Sequence, residues 1–319
     1  MQEYRRRRGS VGQGAVRNFA ARLRGGIGRR GEGGRNAGSP GMPAILSGMA
    51  EAPINPASAP VGDSVAARYA DVRRRIDEAL ARAGRTGDPV VLVAVTKHAT
   101  IDQIRELLRL GHADLGENRI QVLEQHAAQA EEFLSRVRQL PSAAAGDVPE
   151  RIRWHMIGHL QRNKVRKVID RVRLIHSVDS LRLAEEIQAA ASNRGEEVIE
   201  VLVQVNIAGE AQKFGVAPPA VRHLIDQMDT MYNVRVRGLM CMAPYSDDPE
   251  TSRPVFERCR ELFEDIRTSG IAGEHFDLLS MGMSGDYEVG IECGSNIVRV
   301  GSALFGESET DESEQTQGD

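Results

Sequence analysis

Residues 89–100 read PVVLVAVTKHAT, an apolar run that ends at Lys97. From Val90 to Val95 almost every residue is Val, Leu or Ala, and polar residues do not alternate with them. A continuous run of this kind predicts a strand buried on both faces, as in a parallel sheet or a barrel. Val93, Val95 and Lys97 are spaced two residues apart, so we expect their side chains to point to the same side of the sheet.

Lys97 stands where this strand should end. In a β/α barrel the carboxyl ends of the strands form the active face, so a functional residue is expected there. An ammonium group at the end of an apolar strand is partly desolvated, which lowers its pKa and makes the neutral amine available to attack an aldehyde. One interpretation is a lysine that forms a Schiff base. The other is a lysine whose charged end simply extends into water, and this stretch alone does not separate them.

The composition is that of a soluble globular protein. The chain has 319 residues, 41% hydrophobic and 27% charged, enough for one large α/β barrel or two ordinary domains. No apolar run approaches the roughly 20 residues needed to cross a bilayer. The three cysteines, Cys241, Cys259 and Cys293, are odd in number and widely spaced, which favours neither disulfides nor a metal site. We therefore expect a cytoplasmic protein with no membrane association.

The first 60 or so residues differ from the rest. Residues 1–50 contain ten arginines, no lysine and two acidic residues, so they carry about +8 and the remaining chain about −12. We predict that residues 1–60 are disordered, and that residues 307–319 form an acidic disordered tail. Three interpretations of residues 1–60 remain open. The segment could be an arm that binds nucleic acid or an acidic partner, an Arg-rich transit peptide, or a segment translated from an upstream start codon. Because no aromatic interleaving accompanies the arginines, we expect no nucleic-acid partner.

Residues 61–306 show a regular alternation of predicted strands and helices. About eight strands, each followed by a helix, favour a single (β/α)8 TIM-type barrel over an open sheet. A Rossmann-like sheet is the alternative, but no GxGxxG motif follows any predicted strand. We predict strands at residues 90–95, 112–115, 152–157, 174–178, 198–206, 234–240, 276–280 and 297–300.

The stretches after the seventh and eighth predicted strands have the composition of a phosphate site. The first, SMGMSGDYE, places Ser284 and Gly285 at the start of a helix, and the second, RVGSALFG, places Gly301 and Ser302 at another turn. In β/α barrels these two loops commonly bind phosphate. Such turns offer backbone N–H groups, hydroxyls and a favourable dipole for a dianion. Ordinary helix caps explain either turn alone, but they explain the pair less well.

Arg299 is a second unusual charge. It lies between two valines and shares its parity with Gly301, so we expect its side chain to face the barrel interior. A buried arginine needs an acceptor, which is either a pyridine nitrogen or an internal salt-bridge partner. Because arginine does not give up its proton, it would leave a pyridine nitrogen unprotonated and the ring a poor electron sink. Other polar residues expected to line the mouth are Asn118, His155 and Asn206, and Gln204 and Asn206 share one parity on the fifth strand, which predicts that they point inward.

Six motifs, in chain order, resemble a known family. They are VAVTKHAT at 93–100, LGENRIQ at 115–121, WHMIGHLQRNK at 154–164, VNIAGEAQKFG at 205–215, RGLMCMAP at 237–244 and LSMGMSGDYEVGIECGSNIVRVGSALFG at 279–306. Together they resemble the pyridoxal 5′-phosphate homeostasis protein family, the YggS/PROSC group. The resemblance covers about residues 65–306, and the chain departs from it in the first 60 residues and in a longer loop near Pro141.

The resemblance implies a barrel like the N-terminal domain of alanine racemase, which binds pyridoxal 5′-phosphate (PLP). It implies that PLP is held as an internal aldimine on Lys97, that the turns of Ser284 and of Gly301 and Ser302 hold the phosphate, and that Arg299 lies at the pyridine nitrogen. We add Asn118, at the end of the second predicted strand, to the expected cofactor-binding residues. We expect no catalytic residue and no metal ligand.

Three functions compete. The resemblance implies a non-catalytic PLP-binding protein of vitamin B6 homeostasis, and we expect a monomer that serves PLP-dependent apo-enzymes. The alternative is a PLP-dependent racemase or decarboxylase of the alanine racemase fold. Racemisation needs a second acid/base group, which alanine racemases take from a separate C-terminal domain that we do not expect here. The third function is binding of a phosphorylated metabolite without a Schiff base, and Lys97 is the residue that separates it from the others.

Overall fold

The structure is a computed structural model of the chain, and it describes residues 64–140, 147–194, 198–210 and 214–306. The chain divides into residues 1–61 and 62–319, and all described residues belong to the second unit. The predicted disordered segments, residues 1–60 and 307–319, lie outside the described residues. Within the described ranges, no helix is long and apolar enough to cross a membrane.

Eight parallel strands form a closed barrel in which each strand pairs with the next along the chain and β8 pairs with β1. This topology confirms the predicted (β/α)8 fold. The strands are β1 Val91–Val95, β2 Asp114–Glu117, β3 Arg153–Met156, β4 Val172–Val178, β5 Ile199–Gln204, β6 Val234–Met240, β7 Leu278–Ser280 and β8 Ile297–Val300.

Helices precede β1 and follow the strands around the barrel. They are α1 Val65–Arg82, α2 Ile101–Arg109, α3 Ile120–Arg138, α4 Val165–Val168, α5 Leu181–Ser192, α6 Pro218–Met228, α7 Arg253–Ser269, α8 Tyr287–Glu292 and α9 Ser302–Phe305. Two 3₁₀ turns, Arg162–Lys164 and Pro249–Ser252, lead into α4 and α7.

The first helix, α1, packs its apolar face on the outside of the barrel. Ser64 begins the helix, because its hydroxyl accepts a hydrogen bond from the N–H of Ala67 at 3.2 Å. Val72 and Ile76 are four residues apart on one face, and both are buried. They belong to the same apolar cluster as Leu92 of β1. This packing covers one face of β1, in agreement with the prediction of a strand buried on both sides.

Several boundaries differ from the predictions by one to three residues, and those of β2 and α8 have local explanations. β2 begins at Asp114 rather than at residue 112, because its pairing with β3 starts there. His112 lies outside the strand, and its ring Nε2 donates to the carbonyl oxygen of Asp114 at 2.9 Å. α8 begins at Tyr287 rather than at Gly285, because Asp286 closes a turn by accepting from the N–H of Met283 at 2.7 Å.

β6 approaches β7 more closely than a side chain would permit. Gly238 has φ 155°, and a Cβ atom there would lie 1.6 Å from the carbonyl oxygen of Leu278. Only glycine combines this conformation with such a close approach. The glycine therefore allows β6 and β7 to pair and the barrel to close.

Ion pairs hold the amino ends of β5, β6 and β7 together. Arg237 is buried and donates to Asp277 Oδ1 at 2.7 Å and to Glu200 Oε2 at 2.8 Å. Arg173 also contacts Glu200. This end of a β/α barrel serves stability, whereas the opposite end carries the functional residues.

Candidate functional site

The ends of β1 and β2 bring Lys97 and Asn118 to the same edge of the barrel. Val95 of β1 pairs with Gly116 of β2, and each predicted site residue follows two positions later. Both side chains are half-buried. The lysine therefore lies at the carboxyl ends of the strands, where the active face of such a barrel is expected.

The turn after β8 lies on the other side of β1. β8 pairs with β1 along its length. A Cβ atom on Gly301 would lie 3.4 Å from the Cβ atom of Val95, so this turn contacts the strand that precedes Lys97. Ser302 follows directly and is exposed. The two predicted turn residues after β8 thus share an edge with the lysine.

Ser284 joins the turn after β7 to the turn after β8. Its Oγ accepts hydrogen bonds from the backbone N–H groups of Gly301 at 3.0 Å and Ala303 at 3.4 Å. Backbone N–H groups that converge on one oxygen form the kind of concave site that binds anions in proteins. The two predicted Gly/Ser turns are therefore parts of a single local structure.

Arg299 is buried inside the barrel, on the face predicted from its parity. Its Nη1 donates to Ser280 Oγ at 2.6 Å, and its Nη2 donates to the carbonyl oxygen of Cys241 at 3.0 Å. Burial lowers the pKa of the guanidinium, although Cys241 and Asp286 oppose this effect. An arginine nevertheless stays protonated in proteins. Within the described ranges no carboxylate forms an ion pair with Arg299, which removes the internal salt bridge as its explanation.

Ser280 begins a chain of hydrogen bonds that crosses the barrel interior. Ser280 Oγ lies 3.1 Å from His176 Nδ1, and His176 Nε2 lies 3.0 Å from His155 Nδ1. His155 Nε2 then lies 3.2 Å from Asp114 Oδ1. Asp114 also accepts two hydrogen bonds from Arg153, at 2.7 and 2.5 Å. We refer to Asp114, His155, His176, Ser280 and Arg299 as the interior chain.

The interior chain corrects one expectation and adds residues that the sequence analysis missed. His155 was expected at the mouth, but its side chain is 3% exposed and lies inside the barrel. Asp114, His176 and Ser280 were not singled out. The available signal was a polar residue within each of the predicted β4 and β7 strands, because a buried polar group requires a partner.

The charges along the interior chain follow from burial and hydrogen bonding. Burial raises the pKa of Asp114, but hydrogen bonds from Arg153 and His155 outweigh it and hold that pKa well below its usual range. Burial lowers the pKa of His176 well below its ordinary value, and the nearby charge of Arg299 lowers it further. At neutral pH the chain therefore contains an ionised carboxylate at one end, a neutral His176 and a charged guanidinium at the other end.

A buried carboxylate lies directly behind the lysine, and the sequence analysis also missed it. Glu117 Oε1 accepts from Thr96 Oγ1 at 2.5 Å and from His126 Nδ1 at 2.8 Å. Its Oε2 has no hydrogen-bond partner among the residues that the structure describes. Because Thr96 precedes Lys97 and Glu117 precedes Asn118, this contact joins the two strand ends that carry the predicted site residues.

The remaining polar residues predicted for the barrel, Gln204 and Asn206, form hydrogen bonds with the segment that follows β5. Asn206 accepts from the N–H of Gly209 at 3.1 Å and donates to the carbonyl oxygen of Glu210 at 2.8 Å. Gln204 donates to the carbonyl oxygen of Phe214 at 3.1 Å. The ring of Phe214 in turn stacks on His159, with centroids 4.0 Å apart. These contacts connect the loops after β3 and β5 without adding a charged group to the site.

The donors at this edge suit one kind of ligand. Lys97 offers an amine, the Ser284 turn offers two convergent N–H groups, and Arg299 offers N–H groups that are not neutralised by a carboxylate. A molecule that carries an aldehyde, a dianionic group and a ring nitrogen would satisfy all three. No group of His, Cys, Asp and Glu side chains within the described ranges is arranged to hold a metal ion.

Comparisons with known proteins point to the same ligand class. A family model described as the N-terminal domain of alanine racemase matches residues 70–309. A pyridoxal phosphate homeostasis protein from Aquifex aeolicus is 40% identical over 241 residues, which are 75% of this chain and 96% of the relative. Another protein of that name, from Pseudomonas aeruginosa, is 35% identical over 243 residues, which are 76% of this chain and 95% of the relative.

Solved structures show the same similarity. PipY from Synechococcus elongatus, with PLP bound, is 31% identical with a TM-score of 0.57, over 72% of this chain and 100% of PipY. A protein from Bifidobacterium adolescentis is 36% identical with a TM-score of 0.65, over 76% of this chain and 94% of that protein. A diaminopimelate decarboxylase from M. jannaschii is 15% identical with a TM-score of 0.57 over 76% of this chain and 60% of its own length, and shares the fold alone.

Proposed function

The chain belongs to the alanine racemase N-terminal domain family and to the pyridoxal phosphate homeostasis proteins within it, and on this basis we propose that it binds PLP and takes part in PLP homeostasis. The observation that carries the proposal is the position of Lys97 after β1, of Arg299 on the neighbouring strand β8, and of Ser284 in contact with the turn after β8. Its support outside this chain is that relatives are named for PLP homeostasis and that PipY holds PLP.

Lys97 is the residue that we assign to covalent attachment. When bound, PLP supplies an aldehyde, a phosphate group and a pyridine ring. Lys97 provides the amine that joins the aldehyde as a Schiff base, and its position at the end of β1 places the amine at the mouth of the barrel. Asn118 borders the same mouth from β2.

The Ser284 turn is the part of the chain that we assign to the phosphate. The N–H groups of Gly301 and Ala303, which converge on Ser284 Oγ, are donors that a phosphate oxygen can accept from. The hydroxyls of Ser284 and Ser302 add two further donors at this turn. These N–H groups and hydroxyls can bind a dianion through hydrogen bonds, without a neighbouring lysine or arginine.

Arg299 is the residue that we assign to the ring nitrogen. Two of its five N–H groups are used by Ser280 and Cys241, and the others are available for a ligand. Because the guanidinium keeps its proton, the nitrogen facing it stays unprotonated and withdraws few electrons. This favours a protein that holds and releases PLP over a racemase or decarboxylase, both of which need an electron sink.

We further propose that residues 61–306 form the PLP-binding domain and that the protein works in the cytoplasm. The residues that we assign to PLP all lie between residues 97 and 303. The three cysteines are free and buried, which supports a reducing compartment.

An absorption spectrum with added PLP tests the attachment to Lys97. The wild-type protein should show a near-visible band, and borohydride should convert it into a stable label on one peptide. The chain has only four lysines, Lys97, Lys164, Lys167 and Lys213, so peptide mapping identifies the labelled residue. The label should appear on Lys97 and be lost in Lys97→Ala.

Lys167→Ala is the matched control, because Lys167 is exposed on the helix α4 and not at the carboxyl end of a strand. It should retain the band and the label. Circular dichroism of Lys97→Ala should match the wild type, since the side chain lies at the mouth. A wild-type protein that stays colourless with PLP would refute the proposal, as would a label on another lysine.

A further inference from the structure

Asp114 sets the direction of the hydrogen bonds in the interior chain. Its carboxylate is ionised and can only accept, so Nε2 of His155 must carry the proton between them. Nδ1 of His155 and Nε2 of His176 are 3.0 Å apart, so one of them donates and the other accepts. Burial disfavours the charged form of His176, so one of its ring nitrogens is a donor and the other is an acceptor.

Ser280 and Arg299 set the direction from the other end of the chain. Ser280 Oγ accepts from Nη1 of Arg299, which cannot accept in return, so the hydroxyl proton is directed to Nδ1 of His176. Nε2 of His176 is then the donor to Nδ1 of His155. Nη1 of Arg299 therefore donates to a hydroxyl oxygen whose own proton is donated to His176. Nη2 is held by the carbonyl oxygen of Cys241. The guanidinium is thus fixed at two nitrogens by neutral acceptors, and its charge is left for a ligand.

We propose that Asp114, His155 and His176 are positioning residues for Arg299. They orient the Ser280 hydroxyl so that the guanidinium presents its remaining N–H groups to an uncharged aromatic ring nitrogen. This inference rests on the proposed function and adds the residues that determine recognition of the ring nitrogen. The interior chain carries no proton to or from the ligand, because its last member is an arginine that keeps its proton.

The placement of the interior chain argues against a purely structural role. Bulky branched apolar residues usually fill the interior of such barrels, and buried polar groups lower stability unless each is paired. Here the paired groups form one continuous path that ends at a cation without a carboxylate partner. A path built only for stability would be expected to end in an ion pair, as it does at its other end, where Arg153 binds Asp114.

Nitrogen-15 NMR of histidine side chains in the ligand-free protein tests the direction of the chain. Both rings, those of His155 and His176, should be protonated at Nε2 and unprotonated at Nδ1. Single His→Phe variants assign the two signals. Protonation at Nδ1 of either ring would overturn the inference, whatever the protein binds.

Ligand discrimination tests the consequence for Arg299. The two probes are PLP and the PLP analogue in which a C–H group replaces the ring nitrogen. The wild type should bind PLP about tenfold more tightly than the analogue, the size expected for one hydrogen bond to a charged group. Ser280→Ala and His176→Phe should lose most of this preference and retain their affinity for the analogue. Ser280→Thr, which keeps the hydroxyl, should restore it.

Ser177→Ala is the matched control, because Ser177 is the buried neighbour of His176 on β4 and its hydroxyl has no hydrogen-bond partner within the described ranges. It should keep the full preference for PLP. If His176→Phe does not fold, Ser280→Ala alone decides. Folded variants that keep the preference would refute the inference. A wild type that binds neither probe would instead refute the proposed function, while the NMR measurement still reports the interior chain.

Discussion

Thr96 and Lys97 are neighbours in the chain, but the barrel gives them different surroundings. Thr96 is fully buried, and its hydroxyl donates to Glu117, whereas Lys97 is half-buried at the end of its strand. Successive side chains of an extended segment point to opposite faces. Thr96 therefore contacts the layer between the strands and the helices, and Lys97 faces the mouth of the barrel. A structural residue therefore lies directly behind the residue that we assign to PLP.

His112 should make the protein sensitive to mild acid. Burial lowers the pKa of His112 from 6.5 to about 4. Between these values the unfolded chain binds a proton that the folded chain does not, so stability is lost as the pH falls through this window. His112→Gln removes the titration. Urea unfolding at pH 7 and pH 5 should show that the wild type loses about 2 kcal/mol more than the variant.

The comparison between the two proteins isolates His112, because other titrating groups such as His176 are present in both. Glutamine keeps a side-chain N–H that can donate toward the Asp114 carbonyl oxygen. Equal losses of stability in the two proteins would show that His112 does not titrate in this window.

At the scale of elements, the strand ends were the hardest part to predict. β2 reads DLGE, with two acidic residues and a glycine in four positions, so its pattern does not resemble a buried strand. Its bounds are set by pairing, because Leu115 and Gly116 align with Ala94 and Val95 of β1. β6, which has seven residues, and β8, which reads IVRV, were predicted with the observed bounds.

Thr96→Val should weaken the corner formed by β1, β2 and α3. Valine has the shape of threonine but no hydroxyl, so Glu117 would keep only His126 as a hydrogen-bond partner. A buried carboxylate that loses a donor should cost about 1–3 kcal/mol in the free energy of unfolding. Urea denaturation at neutral pH measures this loss.

Ser177→Ala is again the appropriate comparison, since it removes a buried hydroxyl that has no partner among the residues described. It should leave stability unchanged or slightly raised. If Thr96→Val proves as stable as Ser177→Ala, the contact between Thr96 and Glu117 contributes nothing to the corner.

At the scale of the molecule, the barrel contains two networks of polar side chains. The ion pairs around Arg237 hold the amino ends of the strands, and the interior chain runs from Arg153 and Asp114 to Arg299. The residues that we assign to PLP lie at the carboxyl ends. Stability and binding are therefore supported from different ends of the same barrel, as is usual for this architecture.

Deleting residues 1–60 should leave PLP affinity unchanged. Every residue that we assign to the cofactor lies on the barrel, between residues 97 and 303, and the family match begins at residue 70. The segment is strongly basic and PLP is anionic, so titrations of both proteins should use an ionic strength of about 0.15 M to screen long-range attraction. A large fall in affinity after truncation would show that the extension belongs to the binding site.

The sequence by itself determined the barrel and located Lys97, Ser284, Arg299 and Gly301 at strand ends. Strand burial, alternation and turn composition are local properties, so they can be recognised along one chain. Only the tertiary structure decided which side chains meet: Ser284 with Gly301, Glu117 with Thr96, and His176 with Ser280, 104 residues apart. These contacts depend on strand register and on closure of the barrel, which arise from pairing between distant segments rather than from local pattern.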